Sequence, residues 1–282
     1  MVIEAAGLTM KDYKSETKPT WCPGCGDFGV LSATFKALTE LQKRVEEVVV
    51  VSGIGCSSRI PYFLATYGLH TLHGRSIPVA EGVKLANPKL TVFAMGGDGD
   101  LLSIGGAHLA PAASRNIDIT VVCMDNQIYG LTKNQASPTT ELGHTTKSSP
   151  YGVVTRPANP VLWAIAYGAT FVARGYSAKP KLLTDLIVAG VKHQGFSFIH
   201  VQSPCAEFHK TFDFLDTKVA EMPSGWDTSN LAEAIKLAAT EEQVHLGVFY
   251  ETQRPTFEVL ARTLEKKVKP RFDADEYLSR FA

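Results

Sequence analysis

Apolar and polar positions along this chain switch repeatedly between two periods, and the switches lay out the fold. Glu47 to Ser52, Leu90 to Met95, Ile117 to Met124, Thr170 to Ala173 and Phe196 to Gln202 are short apolar runs with many β-formers, which predicts buried strands. Between them lie helical patterns. Val30, Leu31, Phe35, Leu38 and Leu41 share one face of Gly29 to Arg44, and Leu101, Leu102, Ile104, His108, Leu109 and Ala112 one face of Leu101 to Arg115. Pro160 to Tyr167 and Pro180 to His193 also read as helices. This alternation predicts an α/β fold, a doubly wound and mostly parallel sheet. Residues 134 to 159 are rich in Ser, Thr, Pro and Gly and predict a long loop or lid. The main domain is expected over residues 1–213. A C-terminal extension, 214–282, holds a helix near Asn230 to Thr240 and a strand at Leu246 to Tyr250, but no motif.

Composition narrows the class. An apolar content of 45% over 282 residues supports a sizeable core. The formal net charge is zero, which gives no support to a nucleic-acid-binding surface. No run approaches a membrane span and no signal-peptide pattern opens the chain, so a cytoplasmic enzyme is the natural expectation.

The chemistry concentrates between Gly97 and Asn126. Gly97-Asp98-Gly99-Asp100 ends one expected strand, and Asp125-Asn126-Gln127-Ile128-Tyr129-Gly130 ends the next, with one helix between. In a parallel sheet both loops emerge at the same edge, where ligands bind. Gly-Asp-Gly alone is most often a turn. Combined with an amide loop one strand–helix–strand unit later, it offers an Asp oxygen, an Asn oxygen and a backbone carbonyl. With two phosphate oxygens these make a shell suited to Mg²⁺, and a following helix N-terminus favours a diphosphate.

Five cysteines add a second theme. Cys123 lies in an apolar strand and reads as a core residue. Cys22 and Cys25 form a C-x-x-C, and Cys56 and Cys205 lie in Gly- and Pro-containing loops. A thioredoxin-like pair, a structural zinc and an iron–sulfur cluster all compete for these four. The C-x-x-C follows a polar segment rather than a strand, and the other two stand singly, so neither of the first two fits well. A disulfide is the least favoured reading.

The Gly97–Asn126 segment resembles the thiamine diphosphate motif, Gly-Asp-Gly followed about thirty residues later by Asn-Asn. Asp125 stands where that motif has its first Asn, and Asn126 matches the metal-binding second one. A wider resemblance covers residues 20 to 210. Trp21-Cys22-Pro23-Gly24-Cys25-Gly26, Gly53-Ile54-Gly55-Cys56-Ser57-Ser58-Arg59, Leu72-His73-Gly74-Arg75 and Gly82-Val83-Lys84-Leu85-Ala86-Asn87-Pro88 carry it, with Ile128-Tyr129-Gly130-Leu131-Thr132-Lys133 and Ser203-Pro204-Cys205. Together they resemble the beta subunit of the 2-oxoacid:ferredoxin oxidoreductases.

That resemblance implies a thiamine diphosphate-binding, diphosphate-half fold with an N-terminal cluster loop. It implies one [4Fe–4S] cluster on Cys22, Cys25, Cys56 and Cys205, and Mg²⁺ on Asp98, Asn126 and the carbonyl of Ile128. Gly55, Cys56, Ser57, His73, Gly97, Asp98, Gly99, Asp100, Asn126, Ile128, Gly130, Leu131 and Thr132 become candidate cofactor contacts. His73, Arg75, Arg59 and Lys133 are candidate catalytic or substrate-anchoring residues. The implied reaction is decarboxylation of a 2-oxoacid, foremost 2-oxoglutarate, with coenzyme A taking the acyl group, ferredoxin taking the electrons, and in some organisms the reverse. The glutamate that thiamine enzymes need would come from the pyrimidine-binding domain of an alpha subunit, in an (αβ)₂ assembly. Pyruvate or a broad 2-oxoacid range, a non-redox thiamine decarboxylase or carboligase, and a zinc-stabilised binding subunit are the alternatives.

Overall fold

The computed structural model describes residues 7–240, 242–267 and 273–281. The chain runs α1 (Asp27–Leu41), β1 (Val48–Ser52), β2 (Tyr67–His70), α2 (Ser76–Ala86), β3 (Thr91–Gly97), α3 (Gly106–Arg115) and β4 (Thr120–Asp125). A small hairpin follows, β5 (Ile128–Tyr129) with β6 (Gln135–Ala136). Then come α4 (Pro160–Ala166), β7 (Phe171–Tyr176), α5 (Pro180–Lys192), β8 (Ser197–Gln202), α6 (Phe212–Lys218), β9 (Val219–Glu221), α7 (Leu231–Ala238), β10 (Val244–Glu251) and α8 (Phe257–Glu265). Eight strands form one sheet in the order β2-β1-β3-β4-β8-β7-β10-β9. Its pairings are parallel except for β10 against β7. The expected doubly wound sheet is what the chain forms, and residues beyond 213 extend that same sheet through β9 and β10.

Period-2 alternation explains the two cores. Val48 and Val50 of β1, Phe93 and Met95 of β3 and Val122 of β4 pack with α1 and α5 on one face. Val49, Val51, Val92, Ala94, Val121 and Cys123 pack with Ile77 of α2, Leu109 of α3 and Val161 of α4 on the other. Both faces of the central strands are therefore apolar, and Cys123 is a core residue, as its strand context predicts. Phe93 is fully buried, and its truncation to alanine would cost about 3–5 kcal/mol. Helix ends follow local chemistry. Asn159 caps α4 through its side chain to the Leu162 N–H (3.1 Å), with Pro160 in the first turn. Gln42 ends α1 in the left-handed region.

Three expectations need correction. The helix expected from Leu101 begins only at Gly106. Gly99–Ile104 forms a π-helical turn broken at Ser103 (φ −86°, ψ −106°), where the Gly105 N–H reaches back to the Asp100 carbonyl at 3.2 Å. The strand expected from Ile117 starts at Thr120. The amide loop after Asn126 is partly a hairpin, Ile128 facing Ala136 and Tyr129 facing Gln135. Strand β2 gave no apolar signal because all four of its residues are exposed at the sheet edge.

A candidate cofactor site at the carboxyl ends of the strands

A cavity of about 520 Å³ opens where β1, β3 and β4 end. Gly55, Cys56, Ser57, His73, Gly97, Asp98, Gly99, Asp100, Asn126, Ile128, Gly130, Leu131 and Thr132 all line it, alongside Ile54, Tyr129, Gln135, Ala136 and Ser148. The fold thus brings together every candidate cofactor contact. Arg59, Arg75 and Lys133 are not among the lining residues. Arg59 donates to Thr20 Oγ1 (3.2 Å), Arg75 donates to the carbonyls of Gly74 and Ile104, and Lys133 is exposed.

Asp98 leaves β3 with 1% exposure. Thr139 Oγ1 stands 2.7 Å from Asp98 Oδ2 and 2.7 Å from Asp125 Oδ1. One hydroxyl carries one proton, so one of those contacts is completed by a proton on a carboxyl. Burial, and then the neighbouring Asp125, push the Asp98 carboxyl up to about 7. A bound cation would take that proton's place. Asn126 Oδ1 accepts the Ile128 N–H (3.1 Å), which folds the loop back and leaves a second lone pair for a cation.

Asp100 organises loops. Its Oδ1 accepts from the N–H of Ile54 (2.9 Å), the N–H of Gly74 (2.7 Å) and Nδ1 of His73 (2.7 Å). The Nδ1 proton of His73 is thereby committed, and in the neutral ring Nε2 remains an acceptor at the cavity.

Behind the cavity a buried polar row crosses the sheet. His200 Nε2 donates to Asp125 Oδ2 (2.8 Å), because Arg174 Nε donates to His200 Nδ1 (3.2 Å) and fixes the tautomer. In register, Arg174 pairs with His200, and His200 with Cys123. The Arg174 guanidinium lies over the Phe249 ring at 5.0 Å. Burial lowers His200, and it brings Arg174 down to about 10, still a cation at neutral pH. Arg174 therefore supplies buried positive charge toward an acidic site. Sequence reasoning missed this row and Thr139. The available signals were a lone Arg in Phe-Val-Ala-Arg-Gly-Tyr and a lone His in Phe-Ile-His-Val, charges inside apolar strands.

The cysteine loops converge on the same cavity. A Cβ built on Gly130 would lie 3.8 Å from the sulfurs of both Cys56 and Cys205 and 4.0 Å from Asn126 Nδ2. The Gly26 N–H donates to the Pro204 carbonyl (3.0 Å), joining the C-x-x-C turn to the Cys205 loop, and a Cβ on Gly26 would fall 2.7 Å from the Ser203 carbonyl carbon. Trp21 Nε1 donates to the Cys56 carbonyl (2.7 Å), and the Phe208 N–H donates to Cys205 Sγ (3.4 Å). Burial and the neighbouring Asp27 push the Cys56 thiol up to about 11 and the Cys25 thiol further. Among the described residues no three His, Cys, Asp or Glu side chains stand at single-ion spacing.

Comparisons with known proteins fit this geometry. Residues 53–201 match the thiamine pyrophosphate enzyme C-terminal TPP-binding domain, and residues 205–266 match the C-terminal part of the pyruvate ferredoxin oxidoreductase beta subunit. The 2-oxoacid:ferredoxin oxidoreductase subunit beta of a Sulfolobus species is 43% identical, covering 84% of each chain. The 2-oxoglutarate synthase subunit KorB of Methanocaldococcus jannaschii is 39% identical, covering 87% of this chain and 93% of its own. A solved 2-oxoglutarate:ferredoxin oxidoreductase from Magnetococcus marinus, with 2-oxoglutarate, coenzyme A and succinyl-CoA bound, superposes with a TM-score of 0.93. It is 41% identical, covering 98% of this chain and 97% of that one. On that similarity, carried nearly end to end, the chain belongs to the beta subunits of the 2-oxoacid:ferredoxin oxidoreductases.

Proposed function

We propose that this chain is the catalytic beta subunit of a 2-oxoglutarate:ferredoxin oxidoreductase, forming succinyl-CoA and CO₂ and passing electrons through a [4Fe–4S] cluster to ferredoxin. One observation carries the reading: a single cavity is shared by hard oxygen donors, Asp98 and Asn126, and by the sulfur of Cys56, with Cys205 Sγ just behind Gly130. The names of the relatives and the ligands of the Magnetococcus marinus enzyme support 2-oxoglutarate over pyruvate.

The donor set fits the groups it would hold. Asp98, Asn126 and the Ile128 carbonyl would hold Mg²⁺, and Cys22, Cys25, Cys56 and Cys205 the cluster. Thiamine diphosphate, when bound, supplies the electron sink that decarboxylation of a 2-oxoacid requires. The protein's part is placement. The Gly97–Asp100 turn and the Gly130–Thr132 loop wall the cavity, while Asp100 locks His73 and the Ile54 loop against it. Thr139 and Gln135, from the 134–159 segment, tie that segment down through Asp98 and Thr132.

Among the described residues no glutamate lines the cavity, which supports a subunit that needs a partner's glutamate. The exposed edge strand β2, with Tyr67 and Leu69, and nearby Tyr62 and Leu72, supply apolar surface suited to an alpha subunit in an (αβ)₂ assembly. Among the described residues no helix is long and apolar enough to cross a membrane, in keeping with work in the cytoplasm. The test is anaerobic purification of the complex with visible absorbance and analysis for iron, sulfide and zinc. A brown protein with matched iron and sulfide, active on 2-oxoglutarate with coenzyme A and ferredoxin, is expected. A colourless zinc protein would sink the proposal.

A further inference from the structure

Asp27 takes no part in lining the cavity, yet it is 1% exposed. Its Oδ1 accepts from Ser203 Oγ at 2.7 Å and from Ser57 Oγ at 3.5 Å. Ser203 lies two residues before Cys205, Ser57 directly follows Cys56, and Cys25 belongs to the C-x-x-C. One carboxylate, two residues past the C-x-x-C, therefore bonds to both of the loops that bring in Cys56 and Cys205. Its second oxygen, Oδ2, is buried without a hydrogen-bond partner. A carboxylate in that position is expensive to bury and stabilises nothing through its free oxygen. Its place in the first turn of the fifteen-residue helix α1 offsets part of the cost, because the free N–H groups there favour negative charge.

We infer that Asp27 tunes the redox poise of the four-cysteine cage: its buried carboxylate is a fixed negative charge that ties the three loops together and lowers the reduction potential of the cluster. The inference rests on the cluster reading given above. Reduction adds one electron to the cluster and makes or breaks no bond at Asp27. The added charge lies in a dry, weakly screened environment beside the carboxylate, so the reduced state is disfavoured. An opposing cation beside Cys56 is Arg59, which lowers that thiol but is half-buried and reaches toward Thr20. Salt and water screen it more than they screen Asp27. A low potential suits an enzyme that must hand electrons on to a low-potential acceptor. Asp27 thus acts through the cluster, as a positioning and tuning residue rather than a catalytic one.

The experiment is an EPR-monitored redox titration of the full chain, purified anaerobically with its partner subunit, with iron and sulfide measured in the same samples. Asp27→Asn keeps the shape and an acceptor for Ser203 but removes the charge. We expect iron content near that of the parent and a reduction equilibrium at least tenfold more favourable, a rise of about 59 mV for one electron. Ser203→Ala keeps the charge and strips one donor from it, so its potential should fall. An unchanged potential in Asp27→Asn, or equal rises in both variants, would overturn the inference. If Asp27→Asn fails to load, Ser203→Ala decides alone: a lower potential supports the tuning role, and a level or higher one refutes it. Parent protein without iron and sulfide would instead defeat the cluster reading, and this inference with it.

Discussion

The acidic end of the cavity and the cysteine cage adjoin each other but are built on opposite plans. The acidic end is one continuous strand–helix–strand unit. Asp98, Asp100 and Asp125 are each buried and each already held by fixed donors: Thr139, the Ile54 and Gly74 amides, and His200 backed by Arg174. The cage is drawn from three loops whose members are as far apart as Asp27 and Ser203, 176 positions in sequence. Its cysteines run from exposed Cys22 to buried Cys205. The acidic end is organised by hydrogen bonds before any cofactor arrives. The cage brings its cysteine loops together through a few backbone contacts and one carboxylate.

That contrast can be broken by substitution. The largest effect should come from Asp98→Ala and Asn126→Ala, each losing Mg²⁺-dependent thiamine diphosphate affinity by about 100-fold or more, since even residues behind a metal's ligands are worth 10–100-fold. Calorimetric titration of the cofactor measures it, and unchanged affinity in both variants would refute the metal assignment. Iron content should stay at the parent level in these variants if the two regions are organised independently.

Next in size are the cysteines. Serine at position 22, 25, 56 or 205 should each abolish or sharply reduce cluster loading, whereas Cys123→Ala should retain it because Cys123 belongs to the core. Iron and sulfide quantitation per variant is the check, and loss only on changing Cys123 would contradict the assignment.

The support behind the acidic end acts on stability rather than on cofactor affinity. His200→Ala leaves Asp125 and Arg174 buried without their bridge, and breaking a buried pair this way costs roughly 3–5 kcal/mol. Urea unfolding would show it, and a loss within 0.5 kcal/mol would mean that the row carries no net weight.

A smaller, pH-dependent effect follows from Asp98. Its folded pKa, about 7, lies well above its ordinary value of 3.8, so folding favours the protonated form. Its contribution to stability is complete below about pH 4 and is lost as pH rises through about 7. The cofactor-free chain should therefore lose on the order of a few kcal/mol across that window, and Mg²⁺ with thiamine diphosphate should flatten the dependence by favouring ionised Asp98. Thermal melts across pH, with and without both ligands, test the sign.

The smallest and most selective effect concerns the substrate. If Arg59 or Lys133 holds the distal carboxylate of 2-oxoglutarate, its alanine variant should lose roughly 1.5–3 kcal/mol in kcat/KM with that substrate and less with pyruvate. Their positions outside the cavity lining point to the low end of that range. Equal losses with both substrates would leave distal recognition to the alpha subunit.

The two plans also explain what could be read from the chain. Strands β1, β3, β4 and β8 were legible because burial on both faces forces near-continuous apolar runs. The Asp98 and Asn126 ends were legible because their separation equals one structural unit. The break at Ser103 was not, since it leaves the apolar pattern of Leu101, Leu102 and Leu109 intact. Strand β2 was not, since an exposed edge carries no period. Thr139 gave no signal within a segment already crowded with Ser and Thr.

The sequence by itself determined the layered fold, the site's edge of the sheet and the residue types available there, because periodicity and chain order dictate which strand ends meet. Only the tertiary structure decided which charges face one another. Arg174 and His200 meet through strand register, His200 reaches Asp125 two positions beyond its own register partner, and Asp27 meets Ser57 and Ser203 through the docking of distant loops. Such pairings are set by packing in three dimensions, where a charge must find a partner or be costly to bury, and neighbouring positions in the chain carry no record of that requirement.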